Sequence, residues 1–192
     1  MTYLVLGLIL FLGGHSISIV APGWRDRVAA RIGNAWRGIY SLVSFAGIAL
    51  IVWGYGMARD NPVLLYTSPA WTRYLTAVLM LPVFPAFIAA YFPGRIKSAL
   101  QHPMLVSVMF WSAAHLVTTG TLSNVVLFGS FLAWAVVDRI SYGWRTQRPI
   151  RGAPPRKFND VIAVVAGLAV YAIFAFWLHA RWIGVQPLPL PL

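Results

Sequence analysis

Four histidines, His15, His102, His115 and His179, are the side chains of this 192-residue sequence best suited to chemistry, because it contains no cysteine and no glutamate. Without thiols there are no thiolate metal sites, iron–sulfur clusters or thiol nucleophiles. The four acids, Asp26, Asp60, Asp138 and Asp160, fall at or near the ends of apolar runs. That placement argues against carboxylate proton relays and paired-carboxylate hydrolysis within a membrane. Imidazole remains. It is the commonest metal ligand, and a pair of imidazoles suits the axial positions of a haem iron held between helices.

His15 lies within the apolar stretch LILFLGGHSIS, roughly 10 Å inward from the end of its run at about 1.5 Å of rise per residue. His115 lies about 18 Å inward on the same arithmetic, so one iron between the two requires tilted spans. For each of them the competing reading is a histidine hydrogen-bonded to a serine or a carbonyl within a helix bundle. His102 precedes Pro103 at the start of an apolar run, which predicts a helix cap. His102 and His115 stand about 140° apart around a continuous helix, so they cannot chelate one ion from a single face. His179, beside Arg181 and Trp182, reads as an interfacial anchor.

A porphyrin also needs flat apolar walls and cations for its propionates. Trp53, Phe110, Trp111 and Trp134 lie within spans, while Arg31 and Arg37 flank the second one. Arg37 followed by Tyr40 is the more pointed feature, because an arginine where a span begins can pair with an acid buried just inside. Its alternative role is to fix topology.

The elements that must position these groups are transmembrane helices. The sequence is 59% hydrophobic and 10% charged, with mean hydropathy +0.73, far from the mix of a soluble domain. Apolar runs predict an all-α polytopic membrane protein, a single integral domain over 1–192. About six spans are expected, at 2–21, 38–57, 74–92, 103–119, 122–138 and 160–181. The first span lacks a basic flank and a cleavage site and is expected to stay in the mature protein. The net charge of +11 comes from basic residues between the spans, which argues for topology signals and against nucleic acid. Arg25, Arg27, Arg31, Arg37, Arg95, Lys97 and six more between 139 and 157 oppose only Arg59, Arg73 and Arg181. This asymmetry puts both termini outside.

Residues 24–37, WRDRVAARIGNAWR, predict a short helix at headgroup level or a solvated basic loop. Pro149, Pro154 and Pro155 argue against regular structure in 139–159, and the tail QPLPLPL reads as extended. Pro82 and Pro85 are expected to kink the third span. Gly13, Gly14, Gly47, Gly54 and Gly56 thin the first two spans, for helix packing or for a flat ligand.

GGHSISI in the first span, WRGIYSLVSFAGIALI entering the second and HPMLVSVMFWSAAHL in the fourth together resemble the NnrU family of bacterial membrane proteins. The resemblance covers essentially the whole chain, and the ordered set GGH, RxxY and HPx(11)H carries it. That family is linked to nitrogen-oxide metabolism in denitrifying bacteria. It is similar to 15-cis-zeta-carotene isomerase, an integral membrane haem b protein with two histidine ligands. The resemblance implies His15 and His115 as iron ligands and a supporting role for Arg37 and Tyr40 at the cofactor, with His102 matching a further histidine. It implies a bacterial inner (cytoplasmic) membrane as location, haem b as cofactor, a conjugated lipophilic substrate in the lipid bilayer, and an isomerase or redox role. The alternative from a different class is a cofactor-free assembly or regulatory factor for nitrogen-oxide respiration.

Overall fold

The computed structural model describes residues 1–148 and 150–188, and its helices follow the apolar runs. They are α1 (Thr2–Val20), α2 (Pro22–Ile32), α3 (Asn34–Arg59), α4 (Thr72–Met80), α5 (Val83–Ala89), α6 (Arg95–Leu100), α7 (Pro103–Thr118), α8 (Leu122–Ser141) and α9 (Asn159–Ile173). From α9 the chain continues as a wider π-helical segment, Phe174–Ile183. Among the described residues, extended pairing is limited to the bridge between Leu64 and Thr121.

Among the described residues five stretches are long and apolar enough to cross a membrane: Thr2–Val20, Asn34–Arg59, Thr72–Ala89, Leu122–Ser141 and Asn159–Ile183. The sixth expected span, α7, has 16 residues and reaches only about 24 Å against a hydrocarbon core of roughly 30 Å. The all-α polytopic architecture is therefore as expected, with one short span.

The chain forms two compact units. The first comprises Met1–Tyr66 and Gly120–Gln147, the second Thr67–Thr119 and Arg148–Leu192.

In the first unit α1 packs along α3, and α8 lies against both. The α1–α3 seam is made by glycine. A Cβ built on Gly7 would stand 2.6 Å from the Ile51 nitrogen, and one on Gly47 would stand 2.9 Å from Phe11. One on Gly54 would collide with the Leu4 backbone. Small residues thus bring the backbones together, the usual basis of helix association in lipid. Gly13 and Gly56 face open space instead. The outward face of α3 is apolar: Leu42, Phe45 and Val52 are 70%, 73% and 66% exposed, the inverse of a soluble helix and suited to lipid.

The basic stretch 24–37 is not one helix. Gly33, with φ +55°, ends α2 and begins α3, a backbone conformation that side chains with a Cβ rarely adopt. Asn34 to Arg37 therefore form the first turn of a longer α3. No residue of α2 is buried.

In the second unit α5 packs on α9 and α7, and α4 on α7. The third expected span breaks at Leu81–Pro82 between α4 and α5, because proline lacks the N–H that would continue the helix. Hydroxyls satisfy themselves on carbonyls: Thr76 Oγ1 donates to Ala114 O at 2.9 Å and Tyr171 to Ala77 O at 3.0 Å. The Asp160 carboxylate accepts from the Arg95 and Ile96 N–H groups at 2.8 and 3.0 Å. Between Ser141 and Asn159 the described residues form no helix, as the prolines predict. Pro149 and the end of the tail, from Pro189, lie outside the described residues.

Candidate functional site

In the first unit, α1 carries His15 half-buried against α3 and α8. Its Nδ1 bonds the Phe11 carbonyl oxygen one turn back, at 2.7 Å. A carbonyl only accepts, so Nδ1 carries the proton, and in the neutral ring Nε2 holds the lone pair. Phe11, Tyr40 and Trp134 surround the ring at centroid distances of 4.2, 5.1 and 5.9 Å. Trp134 Nε1 is buried and has no hydrogen-bond partner among the described residues. An orphaned donor of this kind costs about 1–3 kcal/mol.

The acids are not all peripheral. Asp138, in the last turn of α8, is 5% exposed and pairs with Arg145 at 2.6 Å. Its charge bears on both His15 and Tyr40. Ser141 Oγ donates to the Asp138 carbonyl at 2.8 Å and closes the turn. The buried acid of α8 is therefore paired with Arg145. Arg37 is exposed on the first turn of α3, while Tyr40, one turn further, meets His15. The structure brings Tyr40 and His15 together. Trp53, expected as a wall, stacks instead on Tyr3 at 4.6 Å and is 56% exposed.

In the second unit, α7 carries His115. Its Nδ1 bonds the Trp111 carbonyl at 2.8 Å, the same arrangement as His15. Facing it is His179 from the π-helical segment, with ring centroids 6.5 Å apart and planes 18° from parallel. His179 Nδ1 bonds the Val185 carbonyl at 2.7 Å. Trp111 lies 5.6 Å from His115, and Phe174 lies 5.8 Å from His179, edge-on. Ser112, one turn before His115 and fully buried, has an Oγ without a partner among the described residues.

His102 behaves as its sequence predicts. It caps α7, with its Nδ1 accepting the Leu105 N–H at 3.3 Å and Pro103 at the first helical position. Its Nδ1 is thus an acceptor, opposite in role to the Nδ1 of the other three.

Sequence reasoning missed His179 as a partner of His115, and Asp138 with Arg145 as a buried pair. The signal for the second was present, an acid in the last turn of an apolar run with an arginine just beyond. The first had none, because the wider turns that place His179 are not written in residue types.

Apolar helices with lipid-suited exteriors, glycine seams and self-satisfied hydroxyls define an all-helical polytopic membrane protein, with imidazoles set inside each of its two units. The NnrU protein family matches residues 3–187, and the chain belongs to that family. No curated protein and no solved structure matches it.

Proposed function

We propose that this protein binds haem b through intramembrane imidazole, with His15 and His115 as ligands, and serves nitrogen-oxide metabolism as a redox component or as an isomerase of a conjugated lipophilic substrate. One observation carries the reading. His15 and His115 each give Nδ1–H to a backbone carbonyl, the outer arrangement that fixes the tautomer of metal-ligating histidine and aims Nε2 at the metal. The donor set suits iron porphyrin further: neutral nitrogen ligands, aromatic flanks and no thiolate. Trp134 Nε1 and Ser112 Oγ, orphaned near the two rings, supply polar contacts that a bound group would complete.

Haem, when bound, supplies reversible one-electron chemistry and, with a coordination position open, Lewis acidity toward a polyene. The chain supplies the rest. Phe11 and Trp111 carbonyls hold the ring tautomers, Tyr40 and Trp134 wall His15, and the Asp138–Arg145 pair sets the local field. The basic residues between spans orient both termini outward in a bacterial inner membrane.

The test is reconstitution: protein purified in mild detergent is titrated with haemin, alongside His15→Ala and His115→Ala. Saturable binding with a Soret band, lost or shifted in both variants, supports the reading. Variants that bind as the wild type does refute the ligand assignment. A cofactor-free assembly factor is the second reading, favoured by the hydrogen bond each ring already makes within its own helix. It predicts no saturable binding.

A further inference from the structure

We infer that His179 is an iron ligand opposite His115, so that the second unit supplies two axial imidazoles by itself. The inference rests on the reading that the protein binds haem b; because a porphyrin iron leaves two positions to the protein, it makes His179, in place of His15, the partner of His115.

The spacing of the two rings matches opposed ligation. A metal–nitrogen bond of about 2.0–2.1 Å and about 1.1 Å from nitrogen to ring centre set two imidazoles on opposite sides of one metal about 6.2–6.4 Å apart, centre to centre. A tetrahedral ion would draw the same centres to about 5 Å. The observed separation is 6.5 Å, just above the opposed spacing and well beyond the tetrahedral one.

The ring tautomers agree with the spacing. His115 gives Nδ1–H to Trp111 O and His179 gives Nδ1–H to Val185 O. Each ring's proton is committed to the backbone of its own element, and Nε2, at the far side of the ring, is the ligating nitrogen.

The ligand count points the same way. Among the described residues no group of three or more His, Cys or acidic side chains is placed to hold a metal ion. Two protein ligands in opposition suit an iron whose other four positions come from a macrocycle, and do not suit a bare ion that needs a closed protein shell. The flanks agree, since Trp111 and Phe174 are flat and apolar. The backbone agrees as well. His179 sits in a run of ten π-helical residues, a strained widening of the kind that occurs mostly at functional sites.

The experiment is coordination-state spectroscopy of the full-length protein loaded with haemin in mild detergent. Absorption and low-temperature electron paramagnetic resonance are recorded for wild type, His179→Gly and His179→Gln. The glutamine variant keeps a donor for the Val185 carbonyl without offering a haem ligand, so it separates ligation from folding. The wild type is expected to be six-coordinate low-spin. Both variants are expected to lose the low-spin signal and become high-spin, and added imidazole should restore it in His179→Gly. A low-spin signal unchanged in both variants but lost in His115→Ala overturns this inference, leaving His179 a packing contact and haem binding intact. A folded wild type that takes up no haem overturns the proposed function itself.

Discussion

The α1–α3 seam gives a perturbation whose sign the geometry fixes. A methyl group at Gly7 would lie 2.6 Å from the Ile51 nitrogen and 2.9 Å from the Gly47 carbonyl oxygen, where optimal carbon contacts fall near 3.5–4.0 Å. Both obstacles are backbone, so no side chain can swing away. Relief requires α1 and α3 to separate by about 1 Å, which forfeits a quarter to a half of each dispersion contact along the seam. Overpacking of this kind costs about 1–3 kcal/mol, and the rigid obstacles place Gly7→Ala in the upper part of that range. The matched control is Gly13→Ala on the same helix, where nothing lies within 4 Å of the added atom. There the gain in helix propensity, about 0.5–1 kcal/mol, acts alone. Thermal unfolding of both variants in one detergent should therefore move in opposite directions, with Gly7→Ala lower by several degrees at roughly 2–4 °C per kcal/mol. A Gly7→Ala protein as stable as Gly13→Ala would refute the close approach and the placement of α1 that follows from it.

Three further predictions rest on other contacts. Removing one partner of the buried Asp138–Arg145 pair, as in Asp138→Asn, should cost about 3–5 kcal/mol in thermal unfolding, with the double variant Asp138→Asn/Arg145→Gln recovering much of the loss. His102→Ala should lose the α7 cap, about 1 kcal/mol of stability, while His102→Asn retains it and neither changes a haem spectrum. Asp160→Ala removes the acceptor for two N–H groups at the start of α6, and limited proteolysis should then cut near residue 95 faster than in wild type.

Much of this was legible in residue types because lipid imposes one rule: a spanning segment must be apolar and must satisfy its own backbone. The spans, the break at Pro82 and the His102 cap follow directly. Gly33 was harder, since a glycine within a basic amphipathic stretch does not announce a positive φ that divides it. The spacing of Arg37 and Tyr40 allows a pairing with a buried acid or a topology signal, and does not show that the chain turns back after Ser141 to give Asp138 to Arg145. His15 was legible as an imidazole within an apolar span, but its hydrogen bond to Phe11 and its contact with Tyr40 depend on rotamer and crossing geometry. His179 was least legible, because α-helical spacing does not describe a π-helical turn.

Haem binding by this protein depends on imidazole nitrogens kept ready for iron by protons committed to backbone carbonyls. Its most direct measurement is a haemochrome assay of the protein purified from haem-sufficient cells, with helicity checked by circular dichroism. The expected result is haem b in stoichiometric amount and a reducible Soret absorbance. A helical, monodisperse and colourless preparation would contradict it.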